Sequence, residues 1–242
     1  NGYSHTLYGI LDTLGNTILP CVYDRILYCG GNFRVRLDGK DAVVNAKNEF
    51  LLRPDYSIED GNYSDMNCLF PDRFYTIESG NRKGVMNGKY EVIIQPEYHY
   101  VRTLWSKKQD KESFTFQVQK NNKYGLFSSE GKQIIPVVYD ELWQIESRLN
   151  KVSSYFFMVR HEGKAGMVDA DGKQVIPIAY DDYFDVRPYY NHGIYFFTKG
   201  LQFYGLDMKK DSVFLEEASL QVVSDSTRIY EYHGEYLTLY TS

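Results

Sequence analysis

Apolar and polar residues alternate along this chain in short runs that match strands and never sustain a helical period over ten residues. "KYGLFS" and "KQIIPVVY" (123–128 and 132–139) are two such runs, separated by the Gly-bearing turn "SEGK". The same layout recurs with "ADGK", "TLGN" and "NGK" at the turn, the signature of a hairpin. A further strand precedes each hairpin: "FRVRLD", "FYTIES", "FTFQVQ", "YFFMVR", "IYFFTK" or "IYEY", joined to it by "DGK", "SGNRK", "KNNK", "HEGK", "KGLQ" or "HGE". A weaker fourth strand follows it, read in "RILYC", "VRTLW", "ELWQI", "YFDVR" and "LQVVS".

The pattern is a repeat. "KYGLFSSEGKQIIPVVYDEL" (123–142) and "KAGMVDADGKQVIPIAYDDY" (164–183) are two copies 41 residues apart. Anchored on Gly9, Gly84, Gly125, Gly166 and Gly205, with Ala42 in the same slot, the copies follow one another at intervals of 33 to 42 residues. A Tyr stands 14 residues after five of the six anchors (Tyr23, Tyr56, Tyr98, Tyr139, Tyr180), whereas the Pro between them moves by one place. The sixth copy has "SVFLEEASL" where Pro and Tyr belong, as an atypical terminal copy does. One sheet of this kind cannot bury both faces, so neighbouring copies are expected to cover each other. The Pro is expected on an edge or terminal part of its strand, where its missing N–H does no harm. The Tyr is expected to pack its ring and bind backbone through its hydroxyl, and Asp24, Asp140 and Asp181 to start the following turn.

The expected organisation is one repeat domain over 1–242, with anchor blocks near 6–24, 40–56, 83–98, 123–140, 164–181 and 203–220 and a C-terminal hairpin at 228–240. About twenty-five strands can be counted. Four-stranded units of about 40 residues suit a roughly six-bladed β-propeller-like ring; the alternative is an open superhelical β array with protected ends. Either way the fold class is all-β, in keeping with 23 Tyr and 14 Phe.

The block K-[Y/A]-G-[L/M]-x-x-x-x-G-K-Q-[I/V]-I-P-x-x-Y-D resembles the bacterial WG repeat, also called the KWG repeat, whose typical form has Lys-Trp-Gly, then Gly, Ile-Pro and Tyr-Asp. The resemblance is strong over 123–142 and 164–183, good over 7–24, weak over 40–56 and 83–98, and poor after 205. In place of the Trp before Gly this chain has Tyr8, Tyr124 or Tyr204, and Asp41, Lys83 or Ala165 in the other copies. The resemblance implies a tandem β-repeat protein with no common catalytic activity, often of bacterial envelopes or surfaces, and hence an extracytoplasmic location.

Charge and composition narrow the function. A net charge of −5, with 27 basic residues spread among 32 acidic ones, offers no basic stripe for nucleic acid. No apolar run approaches the length of a membrane helix, and "NGYSHTLYGILD" lacks the layout of a signal peptide. Cys21, Cys29 and Cys68, odd in number and without a CxxC pair, indicate neither a disulfide scaffold nor a zinc site and read as small buried residues. "DADG" (169–172) invites calcium, but the same slot reads "SSEG" and "DTLG" elsewhere, so it is expected to be a turn. The five His are scattered, and no GxSxG, P-loop or dinucleotide fingerprint occurs. No catalytic residue, metal or cofactor is therefore expected. The adjacent acidic pairs Glu216/Glu217 and Asp181/Asp182 fit a glycosidase poorly, because neighbours on a strand point to opposite faces.

Aromatic residues in the connectors that follow the Tyr are the candidate binding residues: Trp105, Trp143, Tyr183, Tyr189 and Tyr190. Packing between copies is the competing role for the two Trp. The expected function is a non-enzymatic scaffold that binds a protein or glycan partner; the rival is a glycan-acting hydrolase with its site at the centre of a ring.

Overall fold

The computed structural model describes residues 6–59, 68–108, 111–147, 154–185, 194–200, 202–207, 216–224, 227–232 and 235–240. The chain divides into two compact units, Asn1–Val101 and Arg102–Ser242. Every regular element among the described residues is a β-strand.

In the first unit β1 (Tyr8–Leu11) and β2 (Thr17–Tyr23) form a hairpin. They are followed by β3 (Arg25–Cys29), β4 (Asn32–Leu37), β5 (Lys40–Asn45), β6 (Phe50–Glu59), β7 (Phe74–Ser79), β8 (Arg82–Asn87) and β9 (Val92–Tyr98), hydrogen-bonded in chain order. The next sheet is β10 (Tyr100–Lys108), β11 (Lys111–Lys120), β12 (Lys123–Ser128) and β13 (Gln133–Tyr139). Then come β14 (Glu141–Ser147), β15 (Ser154–His161), β16 (Lys164–Asp169) and β17 (Gln174–Tyr180). A last sheet comprises β18 (Asp182–Asp185), β19 (Ile194–Lys199), β20 (Gln202–Asp207), β21 (Glu216–Ser224), β22 (Thr227–Tyr232) and β23 (Glu235–Tyr240).

The fourth strand of one copy and the first of the next prove to be two halves of one run. β6 is unbroken: Phe50–Tyr56 pairs with β5 and Ser57–Glu59 pairs with β7. β21 is divided in the same way between β20 and β22. Between β2 and β3, β13 and β14, and β17 and β18 a single Asp interrupts the run. Among the described residues the strands number 23 where about twenty-five were read, because β6 and β21 each serve two sheets.

The fixed Gly-to-Tyr distance has a local cause. On β12 and β13, Tyr124 pairs with Tyr139 and Leu126 with Ile135, so Gly125 alone faces the three residues Pro136, Val137 and Val138. The other four hairpins of this type carry the same two-residue bulge, with Pro20, Pro54, Pro96 or Pro177 inside it. A bulge leaves residues out of the ladder, so a Pro without an N–H fits at either of two places. This agrees with the edge-or-terminus expectation for the Pro: Pro20, Pro96, Pro136 and Pro177 lie on the last strand of their sheets, and Pro54 lies in the stretch of β6 that pairs with β5 alone. The bulged backbone presses against the anchor: a Cβ on Gly125 would lie 2.8 Å from the Ile135 carbonyl oxygen, and one on Gly166 2.8 Å from Ile178 Cα.

The turn between the hairpin strands is capped alike in five copies. Asp12, Asn45, Asn87, Ser128 and Asp169 each accept, through one side-chain oxygen, the backbone N–H groups two and four residues on. In "DADG" the carboxylate of Asp169 therefore does what a Ser hydroxyl or an Asn amide oxygen does elsewhere.

The Tyr-Asp corner also differs from expectation. The Asp carboxylates do not start a local turn; they reach the hairpin of the next copy. Asp24 Oδ2 accepts Gly39 N–H (3.2 Å), Asp140 Oδ2 accepts Glu162 N–H (3.1 Å) and Asp181 Oδ2 accepts Gly200 N–H (2.7 Å). Their own N–H groups bond the carbonyls of Arg36, Arg160 and Thr198. The hydroxyl of Tyr23 donates to the Asn48 side chain, not to backbone.

Core residues lie between successive sheets, as the repeat requires. One cluster joins Leu126, Ile135 and Tyr139 to Leu142, Phe157, Val159 and Val168 of the following sheet. Another joins Met158, Met167 and Ile176 to Phe197. In the first unit Leu19 and Tyr23 meet Phe33, Val35 and Val44, and Val43 and Leu52 meet Ile77 and Met86. In the second unit β12 lies against β14 and β13 against β15, so successive sheets overlap by half.

The cysteines correct the expectation of three small buried residues. Cys29 and Cys68 form a disulfide, Cα–Cα 5.4 Å, and Cys21 is a free, exposed thiol. The partners are 39 residues apart, and only the course of the chain between β3 and β7 brings them together.

Candidate functional site

The corner places one strand of each copy, the first, at the start of its sheet. In the second unit β10, β14 and β18 are edge strands, each paired on one side only, and in the first unit β3 is an edge in the same way. The core takes Leu104 on β10 and, from opposite faces of β14, Leu142 and Ile145. Other positions on β3, β10 and β14 carry exposed rings.

Trp105 is 51% exposed and Trp143 61% exposed, so both Trp lie outside the inter-sheet core. Tyr28 on β3 and Tyr100 on β10 are exposed as well. Sequence reasoning passed over these two Tyr, although they stand in the same first strands, in "RILYC" and just before "VRTLW". Tyr183 on β18 is half-buried and packs toward Phe197. Tyr189 and Tyr190 lie outside the described residues.

Around Trp143 and Tyr183 a polar group of side chains is built across two sheets. Glu141 stands directly opposite Arg160, and Trp143 opposite Met158. Arg160 Nε donates to Glu141 Oε1 (3.2 Å), Nη2 to Asp182 Oδ1 (2.5 Å) and Nη1 to the Asp181 carbonyl (3.2 Å). Its guanidinium lies 5.6 Å from the centre of the Tyr183 ring, a cation–π contact. The Tyr183 hydroxyl completes the set by donating to Glu141 Oε2 (3.1 Å). Burial, and after it the charge of Glu141, push the Tyr183 hydroxyl well above its ordinary pKa, so it stays a protonated donor. On Arg160 burial pulls the pKa down, but the hydrogen bond to Asp182 and the charge of Glu141 more than offset it, and the net shift is upward.

Several acidic residues elsewhere have structural partners. A shallow depression of about 600 Å³ in the first unit is lined by Asp24, Arg36 and Asp38 among others. Asp24, however, holds the Gly39 N–H as Asp140 and Asp181 hold theirs, and Arg36 Nη2 is bound to Asp41 at 3.3 Å. Asp41, fully buried, also pairs with the buried Arg34 (3.1 Å) and accepts the Ile58 N–H (2.9 Å). His99 contacts Arg82, and His161 contacts the Val138 carbonyl and the edge of Tyr139.

Comparison with known proteins adds a family. The model of the WG containing repeat matches residues 8–40 and 166–201. No curated protein matches the chain. Among solved structures, the AfRom2 CNH domain is 9% identical, with 98% of each chain covered and a TM-score of 0.22. Dihydro-heme d1 dehydrogenase NirN in complex with DHE is 11% identical over 90% of this chain and 56% of that one, with a TM-score of 0.29. Likenesses this low carry no argument about arrangement or activity. The family match falls on two of the copies whose Gly, Pro, Tyr and Asp build the bulge and the corner: over those residues the chain matches the WG containing repeat.

Proposed function

We propose that the chain is a non-enzymatic binding scaffold that presents the rings of its first strands to a protein or glycan partner. The observation that carries this reading is the exposure of both Trp on strands that the core holds through Leu104, Leu142 and Ile145. A large ring costs solvation when left in water, and rigid repeat surfaces are where recognition residues sit. The acidic net charge disfavours nucleic acid, and no helix among the described residues is long and apolar enough to cross a membrane. The Cys29–Cys68 bond supports an oxidising, extracytoplasmic compartment.

Of the two architectures, the corner favours the open superhelical array over the six-bladed ring. In a ring whose first strands line the hub and last strands the rim, each link must cross three inter-strand spacings, about 14 Å. A one-residue corner such as Asp140 spans two Cα steps, about 7 Å.

The test is crosslinking of the native chain and of a Trp105→Ala/Trp143→Ala double variant in the producing cell, read by mass spectrometry. Neighbours enriched by the native chain and lost from an equally stable variant support the scaffold. Unchanged neighbours, or turnover of a glycan by the purified chain, overturn it in favour of another surface or of the hydrolase.

A further inference from the structure

Resting on the scaffold reading, the geometry points to a sugar-binding subsite at the corner where β14 and β15 meet β18, with Trp143 as its platform. Glu141 and Trp143 are alternate residues of one strand, hence on one face about 7 Å apart. Arg160, opposite Glu141, shares that face. The ring is thus bordered by a fixed array of charged head groups: Glu141 is 39% exposed at its side chain and Asp182 61%. Arg160 and the Tyr183 hydroxyl hold these carboxylates in place, and Asp182 Oδ2 has no protein donor among the described residues. An exposed ring beside oriented carboxylates and a guanidinium is the chemistry of a pyranose: its apolar C–H face stacks on the indole while its hydroxyls donate to carboxylate oxygens and accept from arginine.

A protein partner would instead want a contiguous apolar patch around the ring. Here an exposed Trp recurs on successive sheets, Trp105 on β10 and Trp143 on β14, as suits a polymer that repeats too. Two carboxylates around one guanidinium disfavour acidic sugars. The ligand class is therefore a neutral, β-linked, gluco-configured glycan, whose equatorial substituents leave a flat face free.

Titration of the full chain with cellohexaose and with hexa-N-acetylchitohexaose, followed by tryptophan emission and calorimetry, tests this. With only two Trp in the chain, Trp105→Phe leaves Trp143 as sole reporter. A saturable change is expected with at least one sugar and is expected to persist in Trp105→Phe. Trp143→Ala should weaken binding by about tenfold or more at an unchanged melting temperature. Glu141→Gln, which keeps the side chain's shape, should weaken it severalfold. No response to either sugar up to about 5 mM, or equal binding by Trp143→Ala, overturns the glycan assignment. Were sugars silent while Trp143→Ala still lost crosslinked protein neighbours, only the ligand class would fall. Loss of neither would bring down the scaffold as well.

Discussion

Asp140 and Asp181 show how one side chain ties two copies together. Each carboxylate takes a backbone N–H from the next hairpin and the ammonium of the Lys ahead of its own anchor, Lys123 or Lys164. The Lys bond is the chief cause that holds both carboxyls below their ordinary pKa, with the Gly200 N–H next for Asp181. A depressed folded pKa contributes stability that is complete above the unfolded value of about 3.9 and is lost as pH falls through the folded value. Melting temperature should therefore decline below about pH 4, and an Asp140→Asn/Asp181→Asn variant should show a flatter decline over that window. Asp41 is a different case, a buried charge balancing Arg34. Asp41→Asn removes that charge and should cost about 3 kcal/mol in chemical denaturation.

At the scale of the element, the hairpin and its register were legible because Gly, turn and Tyr keep fixed distances. Its two-residue bulge was not: partners across a ladder cannot be counted from one strand, although a Pro that moves by one place inside a fixed Gly-to-Tyr interval is its trace. The corner was hidden for a similar reason, since Tyr-Asp reads as the end of a strand when it is the bend in one. In Gly125→Val the clash falls within the sheet, on the bulge at Ile135 and Val137. It should lower stability by roughly 1–3 kcal/mol as an overpacked site does, checked by urea unfolding. The disulfide was illegible because pairing across 39 residues follows from the fold. Closing a loop of that length is worth on the order of 4 kcal/mol, so reductant should lower the melting temperature of the native chain but not of a Cys29→Ser/Cys68→Ser variant.

For the whole molecule, the proposed open array and the ring differ in expected size. A compact chain of this length has a radius of gyration of about 18 Å; small-angle scattering should exceed this clearly for an open array and match it for a compact ring. Of the candidate site, the two Trp were legible as rare residues in variable connectors, whereas Glu141, Arg160 and Asp182 come together only through strand register and the next corner. The central claim is that the repeat keeps an inward scaffold apart from an outward display. Paired thermal unfolding of Tyr139→Ala and Trp143→Ala tests it most directly, since the first ring is 8% exposed and the second 61%. Tyr139→Ala should lose about 3–5 kcal/mol, a fall of roughly 10 °C for a chain of this size, while Trp143→Ala melts with the native protein. Equal falls for the two variants would contradict the account.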